Sequence, residues 1–263
     1  MEFFTLDSGS SGNAALLRTD DTVVLLDAGL SARRLNAALL TLGTQRLDAI
    51  FITHEHADHI AGLRVFCKKC AAPVYASRGT AQALHGLVPE EQLRVFDAPC
   101  TLTLGALCVT AFATSHDALD PVGFRFDAPD GSLGLLTDTG VVPDSAREAL
   151  RGVDTLLLEA NHDCGMLESG PYPYALKRRI AGEWGHLSNV DAAAFAVQAA
   201  QSGTREIVLA HLSRENNTPE TARMTVAHCL ARAGCEVQLS VAPRAAVSEV
   251  HICRRSPSFA SES

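Results

Sequence analysis

Three histidines, a glutamate and an aspartate crowd into the six residues His54-Glu55-His56-Ala57-Asp58-His59, directly after the apolar run Ala49-Ile50-Phe51-Ile52. Neutral imidazole and carboxylate are the donors that hold zinc, manganese or iron, and a buried strand running into a ligand-rich loop sets several of them around one point. The four donors His54, His56, Asp58 and His59 exceed what one catalytic ion takes, because such an ion keeps a position open for water. The surplus predicts two ions sharing the donors, about 3.5–4 Å apart, and a metal-dependent hydrolase. Two ions lower the pKa of a water held between them and stabilise charge on the attacked and leaving oxygens. Asp58 is then both a ligand and a candidate proton acceptor.

Three further segments share the form of an apolar strand ending in a ligand-type residue: Ala111-Phe112-Ala113-Thr114-Ser115-His116, Leu135-Leu136-Thr137-Asp138 and Ile207-Val208-Leu209-Ala210-His211. Donors at strand ends converge where several strands of a sheet finish together. They supply what the histidine cluster lacks, and a carboxylate such as Asp138 can bridge two ions.

The elements that must position these groups alternate along the chain. Strands are predicted at Phe3–Leu6, Ala14–Arg18 and Thr22–Leu26, and Ser31 caps a helix that stops at Gly43. Ala49–Thr53 is a strand, Ile60–Cys70 a helix, Val74–Ala76 a strand and Thr80–Leu87 a helix. From Leu93 to Thr137 the pattern is a meander, with strands at Leu107–Thr114, Val122–Phe126 and Ser132–Thr137 and a hairpin turn at Asp130-Gly131. Asp154–Glu159 and Glu206–Ala210 are further strands, Tyr174–Ala181 and Asn189–Ser202 helices, and Thr218-Pro219 opens a helix ending near Gly234. Strands at Glu236–Val241 and Ala246–Ile252 close the pattern, which is that of an α/β protein with helices covering sheets from outside.

Other residues point to an anionic substrate. His186, in Gly185-His186-Leu187-Ser188-Asn189 at the mouth of a helix, could contact a phosphate or protonate a leaving oxygen. Ser188 and Asp191 have capping-box spacing, and the helix dipole favours an anion there, which makes Ser188 and Asn189 candidate substrate contacts. Ser8-Gly9-Ser10-Ser11-Gly12-Asn13 joins two strands with small hydroxyl residues and permissive glycines, so Ser10, Ser11 and Asn13 could cradle a phosphate. His162 and Asp163 follow a strand ending at Glu159 and could line the cleft.

Composition narrows the setting. The 263 residues can bury a large core, and no low-complexity linker interrupts residues 1–253, so one domain is expected, with a loose polar tail over 254–263. No basic segment ahead of a long apolar run opens the chain, which predicts neither export nor membrane spanning and a cytoplasmic protein. Eight scattered cysteines fit reduced thiols; Cys67-Lys68-Lys69-Cys70 has pair spacing, but Leu63, Phe66, Cys67 and Cys70 make one core-facing helical stripe. The net charge of −8 argues mildly against a polyanionic partner. Bound divalent ions would offset part of it, and Arg33-Arg34, Lys68-Lys69 and Lys177-Arg178-Arg179 are locally basic.

The series His54-x-His56-x-Asp58-His59, His116, Asp138 and His211, with Asp27 in Leu25-Leu26-Asp27-Ala28-Gly29, resembles the metallo-β-lactamase superfamily in its dinuclear hydrolase form. The Ser8–Asn13 loop, Glu159-Ala160-Asn161-His162-Asp163, Gly185–Asn189 and His211-Leu212-Ser213-Arg214-Glu215-Asn216-Asn217 are similar to its YycJ/WalJ group of bacterial metallohydrolases. The resemblance implies a four-layer αββα sandwich and a 5′ to 3′ exonuclease on double-stranded DNA. It also implies that His54, His56 and His116 hold one divalent ion (Zn, Mn or Fe) and Asp58, His59 and His211 a second, with Asp138 between them and Asp27 orienting the histidine loop. A thioesterase or lactonase similar to glyoxalase II would share those ligands, and a non-catalytic nucleic-acid-binding module would share the fold. Asp138, where zinc β-lactamases commonly have cysteine, speaks against antibiotic hydrolysis.

Overall fold

The computed structural model of the protein describes residues 1–255, so the expected tail over 254–263 lies outside the described residues apart from Arg254 and Arg255. One sheet is built from β1 (Glu2–Asp7), β2 (Ala14–Arg18), β3 (Val23–Leu26), β4 (Ala49–Phe51), β5 (Val74–Ser77) and β6 (Leu93–Phe96), side by side in chain order. The other contains β7 (Cys100–Leu104), β8 (Leu107–Ala113), β9 (Val122–Ala128), β10 (Gly131–Leu136), β11 (Thr155–Glu159), β12 (Glu206–Ala210) and β13 (Gln238–Val241). The last strand, β14 (His251–Ile252), returns to the first sheet and pairs antiparallel with β1, His251 opposite Phe3.

Side chains alternate across each strand, and here both faces are apolar because both are covered. Leu17, Leu26 and Phe51 meet Val109, Phe124, Leu157 and Val208 between the sheets. Their neighbours Leu16, Leu25 and Ile50 pack outward on Leu35, Leu39, Leu63 and Leu84 of the flanking helices. On the second sheet Ile207 and Leu209 pack under Ala192, Phe195, Ala196 and Leu230, from helices Asn189–Gln201 and Pro219–Arg232. Three apolar layers therefore separate four structural layers, the αββα arrangement expected. No helix among the described residues is long and apolar enough to cross a membrane.

Strand direction gathers the chemistry at one edge. β3 and β4 run parallel, and β1 points the same way through its antiparallel neighbour β2. In the second sheet β10, β11 and β12 are parallel, and β8 joins them in direction through β9. The segments leaving these strands carry Ser8, Asp27, His54, His116, Asp138 and His211.

Several elements differ from expectation, including short helices at Asp144–Ala149 and Cys164–Ser169 that the sequence pattern does not predict. The helix expected over Ile60–Cys70 is two single turns, Ala57–Ile60 and Leu63–Phe66, parted at Gly62. The Gly62 N–H donates to the Ala28 carbonyl at 2.8 Å, and a Cβ at this position would stand 1.8 Å from the Leu30 carbonyl oxygen. The first turn begins at Ala57, so Asp58 and His59 occupy a helical turn rather than a loop. The helix expected at Thr80–Leu87 begins earlier, at Arg78, because Ser77 caps it. The closing strand Ala246–Ile252 shrinks to two residues because the Ala245 N–H is drawn onto Asp7 and its backbone turns left-handed, φ 55°. All eight cysteines are free thiols; burial pushes Cys67 and Cys253 up to about 12, while Cys164 is exposed.

Candidate metal centre

Three of the strand-end residues adopt a backbone conformation that side chains avoid. Asp27, Asp138 and His211 have φ of 57°, 56° and 55°. Such turns cost about 1–3 kcal/mol each and persist where the surroundings over-determine them. Here hydrogen bonds do so. The Asp27 N–H donates to the Phe51 carbonyl at 2.8 Å, and the His211 N–H donates to Ser8 Oγ at 2.8 Å.

The turns bring the seven expected donors together. Ligand-type atoms of His54, His56 and His116 lie within 4.8 Å of one another, as do those of Asp58, His59 and His211, and Asp138 forms a similar group with His54 and His59. Asp138 also stands 3.5 Å from His211 Nε2. The histidines are oriented from behind. His59 Nδ1 donates to Asp27 at 2.8 Å, His116 Nδ1 to the Gly185 carbonyl at 3.0 Å and His211 Nδ1 to Glu159 at 3.1 Å. Thr53 Oγ1 lies 3.1 Å from His54 Nδ1 and donates to Asp27 at 2.9 Å. With Nδ1 occupied, the Nε2 atoms of these four rings face the centre, whereas His56 presents Nδ1, 3.2 Å from His116 Nε2.

This arrangement fits divalent cations. His54 Nε2 is buried without a hydrogen-bond partner, an omission worth about 1–3 kcal/mol that a cation would recover. Burial, reinforced by His59, keeps His54 well below the usual imidazole range, and burial also lowers His116, so both offer lone pairs. Burial opposes charge on His59 and His211 too. Even so, Asp138 and Asp27 hold His59 well above that range, and Asp138, Asp58 and Glu159 do so for His211. A buried site that draws positive charge this strongly, with oxygen and nitrogen donors, suits hard or borderline metals.

Around the centre the expected substrate groups fare differently. His186 lies between His116 and His211, at ring distances of 5.0 and 5.2 Å, and its Nδ1 donates to Glu159 at 2.7 Å. Asn13 reaches the centre: its amide donates to the Asp58 carboxylate at 3.2 Å, while its own carbonyl accepts from the Gly9 N–H. Ser10 and Ser11 are exposed on the same loop. The structure turns Ser188 and Asn189 inward, away from any accessible surface. Ser188 caps its helix through the Asp191 N–H at 3.1 Å, and Asn189 is buried in a reciprocal amide pair with Asn217, at 3.0 and 2.8 Å. Asp163 caps helix Cys164–Ser169 and His162 is buried beside it.

Glu159, which opens the stretch Glu159-Ala160-Asn161-His162-Asp163, has a role that the sequence alone does not indicate. Fully buried at the end of β11, it accepts from His186, His211, the Thr139 N–H and the Leu187 N–H. Burial would raise its pKa, but His186 and His211 draw it down to about 2. Its position carries the same sequence signal as Asp138, an acid closing an apolar strand.

Close backbone approach at Gly29 locks three of these segments. Gly29 N–H donates to the Asn13 carbonyl, Asn13 N–H to the Asp58 carbonyl and Ala28 N–H to the His59 carbonyl, at 2.9, 2.7 and 2.7 Å. A Cβ on Gly29 would stand 1.7 Å from the Asp58 carbonyl oxygen. Gly29→Ala is therefore expected to lower stability by about 1–3 kcal/mol through overpacking. It should also weaken metal binding, read by thermal denaturation with and without added Zn or Mn. An unchanged metal-induced shift in Tm would separate this contact from the centre.

A family model described as "Beta-lactamase superfamily domain" matches residues 22–212. Exodeoxyribonuclease WalJ of Streptococcus pneumoniae is 41% identical over 239 residues, 88% of this chain and 89% of that protein. Exodeoxyribonuclease YycJ of Bacillus anthracis is 39% identical over 89% of this chain and 90% of that protein. Among solved structures, the metallo-β-lactamase fold protein YhfI of Bacillus subtilis superposes with a TM-score of 0.72 at 17% identity, covering 94% of this chain and 98% of that one, a likeness of fold. With the family model matching residues 22–212 and two relatives about 40% identical over nearly their full length, the chain belongs to the metallo-β-lactamase superfamily, in the group of WalJ and YycJ.

Proposed function

We propose that this protein is a dinuclear metal-dependent phosphodiesterase that degrades double-stranded DNA from 5′ ends in the cytoplasm. The observation that carries the reading is the meeting of two donor triads, His54/His56/His116 and Asp58/His59/His211, with Asp138 in reach of both. Relatives about 40% identical over most of their length bear the name exodeoxyribonuclease, which supports DNA as the substrate.

In this reading the first triad would hold one ion and the second triad the other, with Asp138 within reach of both; Zn, Mn and Fe all suit the donor set. When bound, two divalent ions lower the pKa of a water and neutralise charge on the scissile phosphate. The protein does the rest. Asp58, a quarter of its side chain exposed, is placed to accept a proton at the open side of the centre. His186, its Nδ1 fixed on Glu159, presents Nε2 from which a proton can pass to the leaving oxygen. Asp27, Thr53 and Glu159 keep the histidines from rotating.

The test compares duplex DNA labelled at the 5′ end with the same duplex labelled at the 3′ end, alongside single-stranded DNA and a thioester, with Zn, Mn or Mg added. Release of the 5′ label as short product from the start, while the 3′ label stays in gradually shortening strands, is the expected pattern. Early release of the 3′ label would reverse the polarity. Thioester turnover without DNA cleavage would move the protein to the small-molecule hydrolases of its superfamily.

A further inference from the structure

Between helix Tyr174–Ile180 and His186 the chain forms a strap that is firmly held yet displays an uncovered indole. Its backbone is pinned to the metal centre at successive residues. The Glu183 carbonyl accepts from Ser115 Oγ at 2.7 Å, the Trp184 carbonyl from the Asp117 N–H at 3.1 Å and the Gly185 carbonyl from His116 Nδ1 at 3.0 Å. The His186 N–H donates to the Ile180 carbonyl at 2.9 Å, folding the strap over the end of the helix, and a Cβ on Gly185 would stand 2.2 Å from that same oxygen. Trp184 is nonetheless 63% exposed. A large apolar side chain left in water on a rigid support beside a reaction centre is informative, since scattered exposed aliphatics are common but uncovered tryptophan is costly.

Charge nearby suits a nucleic acid. Arg179 Nε meets Asp117 at 2.6 Å, which places a guanidinium one residue from His116 and beside the hydrogen bond that anchors Trp184. Arg178 and Tyr174 are exposed, and their spacing of four puts them on one helical face. Aromatic faces interleaved with cations are the means by which proteins hold unpaired or terminal bases without reading sequence.

We propose that Trp184 is the stacking platform for a nucleobase next to the phosphate held at the metal centre, with Arg178 and Arg179 alongside the strand; this rests on the nuclease reading. The strap would then serve two ends. Its Gly185 carbonyl orients His116 and its indole sets how far the end of a strand can advance.

The chain has one tryptophan, so its emission reports on this residue alone. Titration of the full-length, metal-loaded protein with a phosphorothioate-terminated duplex, which resists cleavage, is expected to quench and saturate that emission. Trp184→Ala should weaken binding of the same duplex, followed by a dye on the DNA, about tenfold, the amount one stacked base provides. Trp184→Phe, which keeps a π face, should stay within about threefold of wild type. Unchanged emission at saturating DNA, equal affinity of wild type and Trp184→Ala, or a Trp184→Phe variant as weak as Trp184→Ala would each overturn the stacking role. A wild-type protein that cleaves no DNA would instead overturn the nuclease reading, which the labelled-duplex digestion reads separately.

Discussion

Asp138→Asn is expected to reduce DNA cleavage by about 10³-fold or more, because in the proposed two-ion centre it would remove negative charge from where the cations and a developing anion must be balanced. The amide is nearly isosteric, so packing around this buried position is preserved while one charge is lost. That charge matters twice. Burial raises the cost of ionising Asp138, yet His211 and His59 hold it well below the usual carboxylate range. Its oxygens also lie 3.3 Å from His59 Nε2 and 3.5 Å from His211 Nε2, so it touches the second triad while forming a group with His54 of the first. Metal analysis of purified wild type and variant should therefore show both ions reduced together. If one ion survives at full occupancy with activity intact, Asp138 is an ordinary turn carboxylate.

Much of the centre is legible in the sequence because each donor follows an apolar strand, whereas the strand directions that bring those ends to one edge emerge only from the pairings in the folded sheets. His116, Asp138 and His211 are separated by tens of residues, yet a shared position at a strand end was enough to group them. Glu159 occupies the same kind of position, but its role, holding His186 and His211 from behind, depends on contacts between distant segments that no local pattern carries. Long-range partners were the least legible. Asn189 looked like a substrate contact at a helix entrance, but Asn217, 28 residues on, claims both ends of its amide. Likewise nothing local in Ile60–Cys70 announces a break at Gly62; the cause is the Leu30 carbonyl pressed against it from another segment. Local pattern fixes which residues end strands, while tertiary contacts decide which polar groups remain available.

His186→Ala should separate catalysis from metal binding. His186 sits between His116 and His211, one from each triad, but its Nδ1 is engaged with Glu159, and the two triads are complete without it. Its removal is expected to lower kcat about 10²–10⁴-fold, the usual contribution of a positioned acid, while both ions stay bound and KM changes little. The competing role is a real one, because His186 also groups with Asp138, Glu159 and His211 at distances a metal could span. A ligand and a proton donor make opposite demands on the ring: a ligand must present a lone pair, whereas a donor must carry hydrogen on the nitrogen facing substrate. Metal content decides between them. Should the ion count fall in step with activity, His186 belongs with the ligands. Should activity collapse with the metals in place, the proton for the leaving oxygen passes through Nε2, and Glu159 is the group that aims it.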